Sequence, residues 1–591
     1  MRPYAFNGSK DHLEKEKRMD TRAFKWKLAL LGAAALAAVA GPARTAGAAT
    51  CGDLNGDGSL TIADAVRLQR ALFTPNPADC GNAGSASCGN VNPSIPGLGV
   101  DDSVVLQAFL NHKPTLFALC TGTGAKPCQP NAGSGTGGES WTKRLTVSGN
   151  IATNQEWIAG CRVDVDGLTF VQPGVTVTID PGALVVGKNP PTPGNGGPTN
   201  VSALIFLRGS KINAAGTAAH PILMTSSTHV DNDNGGIGDW GGLTVNGAAP
   251  VNCPGGECLA EGLVGVPFGG TDPHDSSGQV EFLRVEFSGK ELTPDNELNI
   301  ITMNGLGDGT IWDHTQANVG FDDCHEWFGG TLNAKFLVSS GCGDDLHDTQ
   351  LGTTGKYQYY LGVYYNPFMQ NAGNHGFEWD NNENGFDLLP RNTPKVCNVT
   401  LVGTSLQTNT IGENSERGTN LRRGTAGIIA NTIWEHFRNA GILVTDNATA
   451  AQACPPTPAN GLIVEHSLLF DNGNDTGGPL QVTGNWNNPC NPTTWYSSLT
   501  AVSPASPTTN GTDPLTPIVY GTGVPTAQTD LNQFIPAGAG GTATQPLVNS
   551  LAMDCKTIDP FFDTTNYVGA FNPGDTAGNW LTAPWISFRL H

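Results

Sequence analysis

The chain has 591 residues, of which 14% are charged and 38% hydrophobic, with 77 glycines and 40 prolines. That is too rich in glycine for a helical bundle and too hydrophobic for a disordered chain, so many short strands joined by frequent turns are expected. A formal net charge of −21 repels nucleic acid and anionic lipid and attracts divalent cations.

The N-terminus reads as an export signal over residues 1–49. Arg22, Lys25 and Lys27 precede an apolar run at 28–40, and small residues follow at Ala46, Ala48 and Ala49. The run is shorter than the ~20 residues a membrane span needs, and no later segment is long and apolar enough to span. Cys51 raises a lipoprotein alternative, but Gly-Ala-Ala-Thr before it ends in threonine and lacks the usual leucine. The remainder carries 22 basic and 48 acidic residues and all 14 cysteines, so the expected product is secreted, extracellular or surface-associated, and disulfide-bonded. Cys253–Cys258 and Cys454–Cys490 are local pairing candidates, and Cys324–Cys342 could join adjacent coils.

Residues 50–115 hold a duplication. Cys51-Gly-Asp-Leu-Asn55 recurs as Cys88-Gly-Asn-Val-Asn92, and Val66, Leu68 and Leu72 are answered by Val104, Leu106 and Leu110 on amphipathic helices. The first copy supplies oxygens at loop positions 1, 3, 5 and 12 (Asp53, Asn55, Asp57 and Asp64). Thr61 offers its carbonyl at position 7, and Gly58 makes the sharp turn. In the second copy Pro93, Ser94 and Ile95 break the loop, leaving Asn90, Asn92 and Asp102 as its candidate ligands. This loop-helix pair resembles a type I dockerin. The resemblance implies an all-α, EF-hand-type Ca2+ module that docks a cohesin-like protein through residues such as Ile62 and Ala63. Residues 116–140, rich in Gly, Ser, Thr and Pro, read as a flexible linker.

From residue 141 to 591 the pattern becomes short β-rich runs separated by Gly, Asn and Asp. Examples are Val175-Thr-Val-Thr-Ile-Asp180, Ala203-Leu-Ile-Phe-Leu207 and Asn333-Ala-Lys-Phe-Leu-Val338. No long amphipathic helix interrupts them, which argues against a βα fold. Gly209-Ser-Lys-Ile-Asn-Ala-Ala-Gly-Thr-Ala-Ala-His-Pro-Ile-Leu-Met-Thr-Ser226 resembles one coil of a right-handed parallel β-helix, with glycine and asparagine at the corners. The expected fold is therefore mainly β, a solenoid. Gly238-Asp-Trp-Gly-Gly242, Gly320-Phe-Asp-Asp-Cys-His-Glu-Trp-Phe-Gly-Gly330, Asp559-Pro-Phe-Phe562 and Trp580-Leu581 are similar to motifs of secreted bacterial β-solenoid proteins. That likeness implies the fold and no particular activity.

Three acidic clusters carry the chemistry: Asp322-Asp323-Cys-His325-Glu326, Asp344-Asp345-Leu-His347-Asp348, and His375-Gly-Phe-Glu378-Trp-Asp380 with Glu383. The first two share an Asp-Asp-x-His order at a spacing of about one coil. The spacing predicts that Asp322, Asp323, Asp344 and Asp345 stack on one face, where their repulsion favours a bound cation or a raised carboxyl pKa. One reading makes Asp322, Asp323, His325, Asp344, Asp345 and His347 the catalytic set of a polysaccharide hydrolase or lyase, with Arg422 and Arg423 contributing. The other makes the clusters corner caps or cation ligands in a non-catalytic scaffold that binds glycan or surface polymer. Tyr357, Tyr359, Tyr360, Tyr364, Tyr365, Trp327 and Trp379 line either a sugar groove or the solenoid core.

Overall fold

The computed structural model describes residues 144–482, save 160, 198–199, 233, 294–295, 365–373, 405–415, 454–460 and 474–479, together with 129–130, 495, 515, 534, 551–573, 580 and 585–588. The expected export signal, calcium module, Tyr365 and the Cys454–Cys490 pair lie outside the described residues, as does the expected linker apart from Gln129–Pro130, a short strand that runs antiparallel to Gln155–Trp157.

The strands form one large, almost wholly parallel sheet that winds into a parallel β-helix. One ladder runs through Ala203–Phe206, Leu243–Asn246, Ile301–Asn304, His325–Phe328, His347–Gln350, His375–Asp380, Arg417–Arg422 and Ala440–Val444. The other faces come from longer strands such as Gly278–Ser288, Ile311–Gly320, Asn333–Ser340, Lys356–Val363, Lys395–Val402 and Gly427–Glu435. Each of these bends at a residue with positive φ: Phe282, His314, Phe336, Tyr359, Asn398 and Asn431 stand above one another at one corner. A non-glycine residue in that region is strained, so the stack is imposed by tertiary packing. No helix of the described residues is long and apolar enough to cross a membrane.

Side chains alternate in and out along each strand. The inward set forms a continuous apolar core that includes Val163, Leu204, Leu243, Ile301, Trp327, Tyr360, Trp379 and Trp434. Parallel stacking at ~4.8 Å makes each inward position a ladder of the same kind of side chain. Cys253–Cys258 and Cys324–Cys342 are bonded as expected, the second joining successive coils.

The last strand of the described residues ends at Val482, and the described residues from 551 on lie against the outside of the long strands. Cys397–Cys555 ties the two together across 158 residues. Lys335 pairs with Asp563 at 2.8 Å, while Lys356 and Lys395 share Asp559 at 3.3 and 3.1 Å. Trp585, Phe571 and Phe588 cover Val338, Leu361 and Ile433, so the Asp559-Pro-Phe-Phe and Trp580 motifs belong to a strap that seals one outer face.

Candidate functional site: a ladder of carboxylates

The acidic clusters meet where the first ladder turns into its strands. His325 stands in register with His347, and Asp348 with Glu378, so Asp323 lies over Asp345 and Asp322 over Asp344. Asp322 and Asp344 are half-buried at the mouth. Asp323, Asp345 and Asp348 are buried beneath them. Oxygens of Asp322, Asp323 and Asp344 lie within 4.8 Å of one another, as do those of Asp323, Asp345 and Asp348. A third group joins Asp345 and Glu378 to His375.

Backbone amides hold this stack in place. The N–H of Asp323 donates to Asn299 Oδ1 at 3.2 Å and that of Asp345 to Asp323 Oδ1 at 2.8 Å; the N–H of His375 donates to Asp345 Oδ1. Asp344 and His375 are further fixed by Tyr364, whose hydroxyl lies 2.6 Å from the carbonyl oxygen of each and shares its one proton between them. Glu326 accepts from Asn299 and, at 3.1 Å, from Gln350. Asp348 Oδ1 is buried with no hydrogen-bond partner among the described residues.

The electrostatics change from one end of the ladder to the other. Burial and mutual repulsion push the carboxyls of Asp322, Asp323, Glu326, Asp345 and Asp348 well above the usual range. Burial and Glu378 raise Asp344 to about 6, and burial with Glu297 raises Glu261 to about 7. One coil on, burial is outweighed by His375 and Arg422, which pull Glu378 down to about 2. Arg422 Nε pairs with Asp380 at 2.7 Å and Arg423 Nη1 with the other Asp380 oxygen at 2.7 Å. His375 Nδ1 lies 3.0 Å from Asp345 and 2.9 Å from Glu378, and its Nε2 is 3.5 Å from Arg417 Nη1. Burial lowers the pKa of Arg417. Arg422 and Arg423 thus pair directly with Glu378 and Asp380, whereas among the described residues no lysine or arginine pairs with Asp322, Asp323, Asp344, Asp345 or Asp348.

The structure separates the sequence-predicted residues. It brings Asp322, Asp323, Asp344 and Asp345 together on the outer side. His325 and His347 point the other way, into the interior, fully buried among Trp327, Tyr357, Tyr360 and Phe377. Burial lowers His325 to about 3 and holds His347 well below the ordinary imidazole value. In that position neither ring reaches a ligand at the acidic mouth. Trp327, Trp379, Tyr357, Tyr360 and Tyr364 are core residues, and Tyr359 stacks on Phe336 beneath the strap, so these rings form no sugar platform. Arg422 and Arg423 do reach the site, as partners of Glu378 and Asp380. Sequence reasoning missed Glu261, Asn299 and Arg417, and it read Tyr364 only as an aromatic ring.

Buried hard oxygens that no lysine or arginine of the described residues pairs with suit a divalent cation such as Ca2+, which takes several carboxylate and carbonyl oxygens. Asp323, Asp345 and Asp348 would hold it, with Asp322 and Asp344 closing from the mouth. The model of the pectate-lyase like beta helix domain family matches residues 149–468. No curated protein and no solved structure matches the chain.

Proposed function

Since the chain belongs to the pectate-lyase-like β-helix domain family, we propose that it is a secreted, calcium-binding scaffold that uses its acidic ladder to hold an extracellular polysaccharide without cleaving it. The observation that carries the reading is Asp348, whose Oδ1 is buried and unpartnered among the described residues, and whose carboxylate has an oxygen within 4.8 Å of Asp323 and Asp345 oxygens. A cation there compensates carboxylates that otherwise repel, and it bridges an anionic sugar to a protein surface of the same sign. The N-terminal loop, with Asp53, Asn55, Asp57, Thr61 and Asp64, supplies a second calcium site and docks the scaffold to a cohesin-like partner. Asp322 and Asp344 are half-buried at the outer end of the ladder, while the interior histidines contribute nothing to it.

A second reading, a polysaccharide lyase, is favoured by one feature. Arg417 stands in register with His375, two coils from Asp345, with its pKa lowered by burial, as a proton-abstracting group requires. The test is a calorimetric calcium titration of the mature protein, followed by a glycan array and a depolymerisation screen with calcium present. Calcium-dependent glycan binding without chain cleavage supports the scaffold. Cleavage abolished by Arg417→Ala supports the lyase. Absence of calcium binding that depends on Asp323 and Asp345 overturns both.

A further inference from the structure

The strands that carry the acidic ladder turn a second set of polar atoms inward. His325 and His347 flank Glu326 and Asp348 in the chain and send their rings into the solenoid interior. His325 finds partners there: Nδ1 is 2.8 Å from Ser339 Oγ and Nε2 is 3.3 Å from Thr315 Oγ1. His347, one coil on, has neither ring nitrogen partnered among the described residues. Its ring centroid lies 4.2 Å from that of Trp327 and 5.1 Å from that of Tyr357, and those two are 4.8 Å apart. Trp327 Nε1 and Tyr357 Oη are likewise buried without a partner.

Elsewhere the interior satisfies its indoles. Trp157 donates to Gln155 at 2.8 Å, Trp312 to Thr315 at 3.1 Å and Trp434 to Thr419 at 2.8 Å. The exceptions, Trp327 and Trp379, occupy one inward ladder, separated by Thr349. A threonine is far smaller than an indole, so this ladder steps from large to small to large. Beside that step lies His347, with the rings of Trp327 and Tyr357 in contact with it.

We propose that the interior at this level is a hydrated pocket, bounded by Trp327, His347, Thr349, Tyr357 and Trp379, that binds one or a few long-lived water molecules. The donor set selects water. Two indole N–H groups only donate, whereas the hydroxyl and a neutral imidazole each offer one donor and one acceptor. A water makes two to four hydrogen bonds with such neighbours, so one or a few waters pair the set, while an apolar molecule would leave it unpaired and a cation would face indole N–H groups. The pocket is independent of the acidic site, from which the sheet backbone separates it.

A high-resolution crystal structure of the full chain, paired with water 17O relaxation dispersion in solution, tests this. Ordered density within hydrogen-bond distance of a His347 nitrogen and Tyr357 Oη is expected, together with a dispersion signal that shrinks in Tyr357→Phe. That variant should also melt a few degrees below the native protein, because a bridged hydroxyl is lost. A dry pocket in the native crystal overturns the proposal, and so does a Tyr357→Phe protein that melts at or above the native temperature. If the variant does not fold, the native density and dispersion decide alone.

Discussion

Replacing Asp348 by asparagine keeps the shape of the side chain and removes the charge that the acidic ladder leaves uncompensated. Asp348 has oxygens within 4.8 Å of those of both Asp323 and Asp345. At an effective dielectric near 20, two unit charges at that distance repel by ~3.5 kcal/mol. Burial and the neighbouring acids already hold the carboxyl well above its ordinary range, so part of that repulsion is relieved by proton uptake. In chelator, Asp348→Asn should therefore equal the native protein or exceed it by up to roughly 3 kcal/mol.

In calcium the order reverses. An ion that binds only the folded state adds about 4 kcal/mol when its free concentration is a thousand times its dissociation constant. The variant, lacking one of the three buried ligands, should lose most of that increment. Denaturant unfolding followed by tryptophan fluorescence, in chelator and in millimolar calcium, measures both arms. Background Asp53→Asn with Asp57→Asn removes the contribution of the N-terminal loop. A variant that is less stable in chelator and keeps the full calcium increment would refute the cation reading, because Asp348 would then be a structural acid with a protein partner.

Three further outcomes are expected. Residues 51–110 should lose helical circular dichroism in chelator and regain it with calcium, and an unchanged spectrum with no calorimetric binding would remove that site. Burial raises Glu416 to about 7 despite donation from Thr404 and the nearby Arg438, so the folded state holds its proton more tightly than the unfolded chain does. Its contribution is full below the ordinary carboxyl range and is lost as pH rises through about 7, a fall of roughly 3 kcal/mol that Glu416→Gln should flatten in pH-dependent unfolding. Cys555→Ser opens a bridge spanning 158 residues, which on chain-entropy grounds is worth up to about 5 kcal/mol. Limited proteolysis should then release the strap first, and native-like protection of residues 551–573 would argue that the lysine–aspartate pairs suffice.

The solenoid was legible because stacking demands little of any one residue: β-rich runs, glycine or asparagine at corners, and a roughly constant spacing suffice. The same constancy placed Asp323 over Asp345 and joined Cys324 to Cys342. What misled was side-chain direction. Simple alternation would set Asp323 and His325 on one face, but Cys324 and His325 both turn inward as the chain leaves the corner, so the acid and the imidazole part company. Tyr359 breaks its own strand in the same way. Its positive φ leaves Tyr357 and Tyr360 pointing inward while its own ring lies outside under the strap.

Arg417 and Glu261 were hidden for a different reason: they reach the site across coils lengthened by insertions, where spacing no longer predicts register. A solenoid therefore reveals a site only while its coils keep one length. Here that holds for the two Asp-Asp pairs and fails at the next coil, where His375 takes the place equivalent to Asp345 and the ladder acquires its positive partners. The change from an uncompensated to a compensated acid stack thus coincides with the break in spacing. The proposed cation belongs on the regular side of that break, because on the irregular side Arg422 and Arg423 already meet the charge of Glu378 and Asp380.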